Sequence, residues 1–241
     1  MKKLNTLLLL TLVTVGYYVN AKSPIRINKS FTEEERAIGS FKGVATGGPL
    51  TVKITMGNKE SLRLEGDQEA ISNLTTEVIS GVLTIKPKTK WNDWSRKFNS
   101  AHVVVYITAK KISSLTMSGS GNIEVENSIN SSELVATLSG SGGITASANV
   151  KSFTGTISGS GSIKLSGKAD DSNLTLSGSG GFKGKDFAVN DLSAQISGSA
   201  NIYITANKNI EAVISGSGSI RYSGNAAVKK TVIGSGSVRK E

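Results

Sequence analysis

The second half of the chain repeats a short Ser-Gly motif between apolar positions. Seven copies begin 18 to 21 residues apart, which is too regular for an accident of composition. They are SGSGNI at 118, SGSGGI at 139, SGSGSI at 158, SGSGGF at 177, SGSANI at 197, SGSGSI at 215 and IGSGSV at 233. A near-constant period of about 20 residues is typical of a solenoid or another repeat architecture.

Apolar residues flank every copy of the motif. The residue before the motif is Met, Leu, Ile or Val in all seven copies, and the sixth motif residue is Ile, Phe or Val. The following residues alternate between polar and apolar, as in Ile163-Lys164-Leu165. This period of two predicts a strand on each side of the motif, with the Ser-Gly pairs forming the turn between them. Glycine suits such a turn because it reaches positive φ without steric cost.

Two all-β architectures use such a unit, a parallel β-helix and an antiparallel meander. The repeat length is nearly constant, and the segments between copies are too long for plain return turns, so we predict a parallel β-helix-like solenoid built from 18–21-residue SGSGxI repeats. Several of these connecting segments carry a further apolar residue, which suggests a third, looser face. These residues include Ile129, Val150, Val189 and Val228.

The sequence predicts three parts in the chain. Residues 1–21 resemble a signal peptide, with Lys2 and Lys3 before an apolar run and a small-residue cleavage site ending at Ala21. Residues 22–37 are expected to be an N-terminal linker. The solenoid is expected over 38–241, with a diverged part at 38–117 and regular repeats at 118–241. In the diverged part, GGPLTVKI at 47–54 is similar to a degenerate turn and strand.

Composition excludes several kinds of chemistry. The chain has no Cys and a single His, His102, so disulfides, thiolate catalysis and Cys- or His-rich metal sites are not expected. The formal charge is +10, from 28 Lys and Arg against 18 Asp and Glu. The basic residues are scattered through most of the chain and the protein is expected to be exported, so we predict no nucleic-acid partner. We also predict no cofactor, no metal and, in the mature chain, no transmembrane segment.

These features together resemble the head GIN domain family. The resemblance rests on the tandem GSG-x-I and G-N-I turns, the preceding LTIKP strand and the run VVVYITAKKISSLTMSGSGNI from Val103 to Ile123. It covers about residues 38–240. It implies a right-handed β-helix-like fold in a Bacteroidetes-type secreted protein with an adhesin label, located in the periplasm or at the outer membrane and cell surface of a Gram-negative bacterium. It supplies no catalytic or ligand-binding residues.

One irregular segment, residues 86–100, is the candidate ligand site. It combines two aromatic rings with basic side chains in a break between strands, and its candidate residues are Trp91, Trp94, Arg96 and Lys97. The alternative is that both Trp residues cover the open end of the solenoid. A binding role predicts that replacing both rings leaves the thermal midpoint nearly unchanged. Stacked Ser hydroxyls in the turns, such as Ser160 and Ser179, are a second candidate surface.

The sequence favours a secreted, non-catalytic domain that is adhesin-like or structural in the cell envelope. Its partner would be a glycan or an envelope protein, and its oligomeric state stays open. One alternative is a periplasmic partner-binding domain of a signalling or envelope-stress system. A polysaccharide-acting enzyme is the less favoured alternative, since carboxylates do not recur at equivalent repeat positions and the adjacent pair Asp170-Asp171 suits a solvated turn.

Overall fold

Strands form on both sides of every Ser-Gly motif, as the alternation of apolar and polar residues predicts. The computed structural model describes residues 31–241, which build a β-solenoid of about seven turns. The early strands are β1 (Phe31–Glu35), β2 (Gly43–Gly47), β3 (Thr51–Met56), β4 (Ser61–Asp67), β5 (Leu74–Ile79), β6 (Val82–Pro87) and β7 (Val103–Ala109). The two helices are α1 (Gln68–Ser72) and α2 (Trp91–Lys97).

The remaining strands follow the repeats. They are β8 (Ser114–Gly119), β9 (Asn122–Asn130), β10 (Glu133–Gly140), β11 (Gly143–Asn149), β12 (Ser152–Gly159), β13 (Ser162–Gly178), β14 (Gly181–Gly198), β15 (Asn201–Gly216), β16 (Ser219–Ser223), β17 (Ala227–Ile233) and β18 (Ser237–Lys240). Three of them, β13 to β15, run from one Ser-Gly turn to the next. The predicted all-β fold is confirmed.

Each coil contributes one segment before its turn and one after it, and equivalent segments pair in parallel. We call the sheet formed before the turns face A and the sheet formed after them face B. On face A, Leu138 pairs with Met117 and Ile157, and on face B, Ile144 pairs with Ile123 and Ile163. All of these side chains are buried. The apolar columns seen in the sequence therefore stack inside the solenoid, where they form its core.

A shorter third face joins face B to face A within a coil. Ile129, Val150 and Val189 are buried there, as predicted. The assignment of Val228 to this face is wrong: it lies on face A in β17, in register with Ile210, and is 38% exposed. Register shifts separate this face from face B, for example between Thr145 and Ser147 where β11 pairs with β9. The bend lets one continuous strand contribute to two faces of the coil.

The diverged N-terminal part joins the stack, but not in chain order. Strand β2 pairs in parallel with both β6 and β8, and β3 pairs in parallel with both β7 and β9. The coil made by β6 and β7 therefore lies outside the coil made by β2 and β3. The predicted degenerate copy at 47–54 is confirmed, since Gly47 aligns with Ser118 and Thr51 with Asn122.

Antiparallel strands and α1 close this end of the solenoid. Strand β4 pairs with β7 and β1, and β5 pairs with β6, all antiparallel. Residues 31–35, which were expected in the linker, form β1; its FTEEE sequence carries no apolar alternation that would have revealed a strand. Residues 1–30, with the predicted signal peptide, lie outside the described part. Within residues 31–241, no helix is long and apolar enough to cross a membrane.

Candidate binding site

The first glycine of each motif, at motif position 2, fixes the path of the turn. In all seven copies it has a positive φ, between +106° and +128°. A Cβ atom on Gly159 would lie 2.5 Å from the carbonyl oxygen of Gly140 in the neighbouring coil. Glycine is therefore required both by the backbone conformation and by the close approach of adjacent turns.

The stacked turns satisfy their backbone groups through one another. The amide of Ser160 donates to the carbonyl oxygen of Gly140 at 3.0 Å, and the amide of Ser179 donates to that of Gly159 at 3.0 Å. The same bond recurs from coil to coil, so the turns form a continuous backbone ladder. The Ser side chains are not needed to complete it.

The Ser hydroxyls of the turns consequently face solvent. They stand in two exposed columns, which we call the turn edge: Ser118, Ser139, Ser158, Ser177, Ser197 and Ser215 in one, and Ser120, Ser141, Ser160, Ser179, Ser199 and Ser217 in the other. Within residues 31–241 these hydroxyls form no side-chain hydrogen bond. The turn edge is thus a regular array of unused donors and acceptors.

Helix α2 replaces the Ser-Gly turn in the coil made by β6 and β7. The segment that was expected to be irregular is helical from Trp91 to Lys97, with Asp93 in its first turn and Arg96 and Lys97 in its last. This charge arrangement favours a helix because it complements the helix dipole. Short as it is, α2 places the two Trp residues at the end of the column of turns.

Trp94 belongs to the core. Its side chain is 2% exposed, its indole Nε1 donates to the carbonyl oxygen of Ala70 at 3.3 Å, and its ring lies 5.3 Å from that of Phe98. It therefore joins α2 to α1 beneath the surface. This placement fits the covering role that the sequence left open, and it leaves Trp94 no face for a ligand.

Trp91 lies at the surface beside the turn between β2 and β3, at the N-terminal end of the stack. Its ring meets Trp94 edge to face at a centroid distance of 5.8 Å and is partly buried. It packs on Gly48, where a Cβ atom would lie 2.3 Å from the ring carbon Cε3. The glycine at this position gives the ring room to lie flat on the turn, with part of its surface still exposed.

A groove of about 650 Å³ runs between α2 and the turn edge. Trp91, Asn92 and Ser95 form its helical wall, and Ser118, Ser120 and Ser141 are among the residues that line its opposite side. None of its lining residues is charged. The structure thus joins the aromatic segment and the Ser hydroxyls, which the sequence presents as two separate candidate surfaces, in one uncharged site.

Arg96 and Lys97 do not line this groove. Arg96 donates to Asp93 within the helix at 2.8 Å, and the Lys97 ammonium pairs with Glu69 at 2.8 Å while lying 5.0 Å from the centre of the Phe98 ring. Both side chains are exposed on α2. Of the four candidate residues, the structure therefore brings only Trp91 to the groove.

A second groove of about 700 Å³ lies at the N-terminal end of face B. Three of its charged side chains form ion pairs, namely Arg36 with Glu34, Arg63 with Glu33 and Glu60 with Lys110. The guanidinium of Arg63 lies 4.4 Å from the centre of the Tyr106 ring, and its hydrogen bond with Glu33 raises the pKa of Arg63. Most charges of this groove are therefore engaged by neighbouring side chains.

Three carboxylates of the described residues, Asp171, Asp191 and Glu211, line one groove, where Asn209 donates to Asp191 at 2.6 Å and Lys229 donates to Glu211 at 2.9 Å. Asp170 and Asp171 line different grooves, so they do not face one cleft. Residues 31–241 contain no group of three His, Cys, Asp or Glu residues placed to hold a metal ion. His102 is exposed at the start of β7.

Comparison with known families gives one match. A family model described as "putative auto-transporter adhesin, head GIN domain" matches residues 40–226, which is most of the chain. No curated protein matches this sequence.

Solved structures share the fold. An adhesin-named protein of Bacteroides fragilis superposes with a TM-score of 0.80 at 20% identity, covering 88% of this chain and 98% of its own. A second, from Parabacteroides merdae, gives 0.69 at 21% identity, covering 89% and 97%. A structure from Parabacteroides distasonis, titled as a putative lipid binding protein, gives 0.67 at 24% identity, covering 89% and 98%. At these identities the likeness establishes the fold alone.

Proposed function

Because the chain belongs to the head GIN domain family, we propose that it is an exported, non-catalytic, adhesin-like domain that binds an uncharged glycan in the groove beside α2. The family's description and the names of the Bacteroides fragilis and Parabacteroides merdae structures support the adhesin-like role. The predicted signal peptide supports export to the cell envelope, either the periplasm or the cell surface.

One observation carries the choice of ligand. The partly exposed ring of Trp91 lies beside the free hydroxyls of Ser118, Ser120 and Ser141 in a groove with no charged lining residue. A sugar presents an apolar ring face and hydroxyl edges, which match an aromatic plane and a row of hydroxyls. The lack of charge favours a neutral glycan over an acidic one in this groove.

The rigid scaffold supports binding at this position. Trp94 and Phe98 hold α2 from below, and Gly48 holds the Trp91 ring from the side. The groove is therefore formed before a ligand arrives, which lowers the entropic cost of binding. An envelope protein that inserts a polar loop is the alternative partner for the same groove.

The test is binding of the purified mature domain to immobilised neutral and acidic glycans. Trp91→Leu should weaken binding to a neutral glycan roughly tenfold, the order expected for one lost aromatic stacking contact, while Trp91→Phe should retain most of it. Phe31→Leu is the matched control, because Phe31 is an exposed aromatic residue away from the groove and should leave binding unchanged.

Equal binding by the wild type and Trp91→Leu would contradict the groove as the glycan site. Binding of no glycan, together with Trp91-dependent capture of one periplasmic protein, would instead support the partner-binding alternative. Catalysis would show as release of reducing ends from a bound glycan, which we do not expect.

A further inference from the structure

The repeat brings basic residues that are far apart in the sequence into one line on face B. The outward position directly after the sixth motif residue carries Lys164, Lys183, Tyr203, Arg221 and Arg239 in five successive coils. Each is in register with the next. We call this line the basic stripe. The basic residues that the sequence presents as scattered are therefore partly collected by the fold.

The basic stripe is straight and accessible. Parallel strands lie about 4.8 Å apart, so its five rungs span roughly 19 Å along the solenoid. The four cationic side chains are exposed, and Tyr203 in the middle is partly exposed. The Arg221 guanidinium lies 5.8 Å from the centre of the Tyr203 ring, which joins the two halves of the stripe.

This arrangement is unfavourable for the isolated domain. Lys164 aligns with Lys183, and Arg221 aligns with Arg239, so like charges face each other on adjacent strands. Such pairs destabilise a sheet. In the part of the chain that the structure describes, only Arg221 of the stripe has an acidic partner, Glu241, at 3.7 Å. Glu241 also pairs with Lys185, beside the stripe, at 2.9 Å. Within residues 31–241 no ion pair involves Lys164, Lys183 or Arg239.

The residues beside the basic stripe are suited to a sugar chain. The adjacent outward column of face B contains only small uncharged residues, namely Ser162, Gly181, Asn201, Ser219 and Ser237. These provide hydroxyl and amide groups next to the charges, and Tyr203 provides a ring face. No large apolar side chain is exposed along the stripe, so it lacks the residues that would insert into a lipid surface.

We propose that the basic stripe binds an extended acidic polysaccharide, with carboxylate-bearing sugars lying along the coils from Lys164 to Arg239. The cations pair with carboxylates on successive sugars, and Tyr203 contacts a ring face. This surface shares no residue with the groove beside α2. The proposal therefore does not depend on the proposed function, and either can fail alone.

The experiment measures binding of the full mature domain to polygalacturonate over a range of salt concentrations. Lys164→Gln, Lys183→Gln and Arg239→Gln are combined in one variant. The matched control combines Lys59→Gln, Lys88→Gln and Lys208→Gln, which are exposed residues away from the stripe, so both variants lose three positive charges. Thermal midpoints of both confirm that the fold is retained.

The stripe variant should bind roughly tenfold or more weakly, with a shallower salt dependence, whereas the control should stay within about twofold of the wild type. Equal weakening by both variants would show that net charge alone drives binding and would overturn the proposal. So would failure of the wild type to bind polygalacturonate.

Tyr203→Ser distinguishes a sugar chain from other anionic ligands. It should weaken binding to polygalacturonate but not to inorganic polyphosphate, which has no ring face. Preferential binding to phosphatidylglycerol vesicles, or equal loss on both polymers, would contradict the assignment to an acidic polysaccharide.

Discussion

The two glycines of the Ser-Gly motif, at motif positions 2 and 4, are required for different physical reasons. The glycine at motif position 2 needs a positive φ in every copy, whereas at motif position 4 a side chain is excluded mainly by the neighbouring coil. At the fourth position the fifth copy carries Ala200, which is fully buried, so the stack can adjust locally to one methyl group. The fold therefore depends most strongly on the glycine at motif position 2.

Gly159→Ala tests this dependence. The substitution forces a side chain into the left-handed region and against the carbonyl oxygen of Gly140, so it should destabilise the domain by about 1–3 kcal/mol or more. Urea unfolding followed by circular dichroism measures the change. Gly181→Ser is the matched control in a nearby turn, because Ser or Asn occupies that position in other repeats; it should cost far less.

At the scale of elements, α2 serves as a structural cap and as the wall of the groove. The two functions fall on different residues: Trp94 faces the core and Trp91 faces the turn edge. The expectation that both rings can be replaced without loss of stability therefore holds at most for Trp91. The sequence could not separate them, because both are aromatic residues in one short polar segment.

Trp94→Ala should destabilise the protein by about 3–5 kcal/mol, since it removes a large buried side chain and leaves a cavity between α2 and α1. Trp91→Leu should cost much less, because the ring is partly exposed. Differential scanning calorimetry of the two variants provides the comparison. Similar thermal midpoints for both would contradict the assignment of Trp94 to the core.

An exposed ion pair joins β15 to β17 in the last coil. Lys229 donates to Glu211 at 2.9 Å, which lowers the pKa of Glu211 and raises the pKa of Lys229. A lowered carboxyl pKa stabilises the fold above the ordinary value of about 4.3, and this stabilisation is lost as the pH falls through the lowered pKa. The raised pKa of Lys229 also stabilises the fold, but this contribution is present at neutral pH and is lost only as the pH rises through that pKa in alkaline solution.

We therefore expect β17 to exchange its amide hydrogens faster, relative to β14, when the pH falls from 6 to 3. Hydrogen exchange corrected for intrinsic rates measures this ratio. Glu211→Gln should show the faster relative exchange already at pH 6 and little further change on acidification. A pH-independent ratio in the wild type would show that the pair does not hold the last coil.

At the scale of the whole molecule, the repeat made most of the solenoid predictable. The spacing of the motifs and the two apolar columns identify the strands, the turns and the core, because a parallel stack places equivalent residues one above another. The third face was also predicted from the additional apolar residues of the connecting segments, of which Ile129, Val150 and Val189 are buried.

The features that could not be predicted depend on contacts between segments that are distant in the sequence, which leave no pattern in the local sequence. The order of β2 and β6 in the stack follows from pairing between distant segments, and β1 is polar on both sides. The groove beside α2 arises only when the turn edge and the helix meet in space. The residues of the basic stripe could be read from the alignment of the repeats, and the alternation indicates that they face outward, but the alignment of like charges on adjacent strands follows from the register of the fold.

The most direct test of an adhesin-like role is the accessibility of the domain on intact cells to added protease. A periplasmic protein serves as the marker of cell integrity, and the purified domain shows that the protease can cut it. We predict digestion on intact cells while the marker stays whole. Protection on intact cells with cleavage after lysis would place the domain in the periplasm and contradict adhesion at the cell surface.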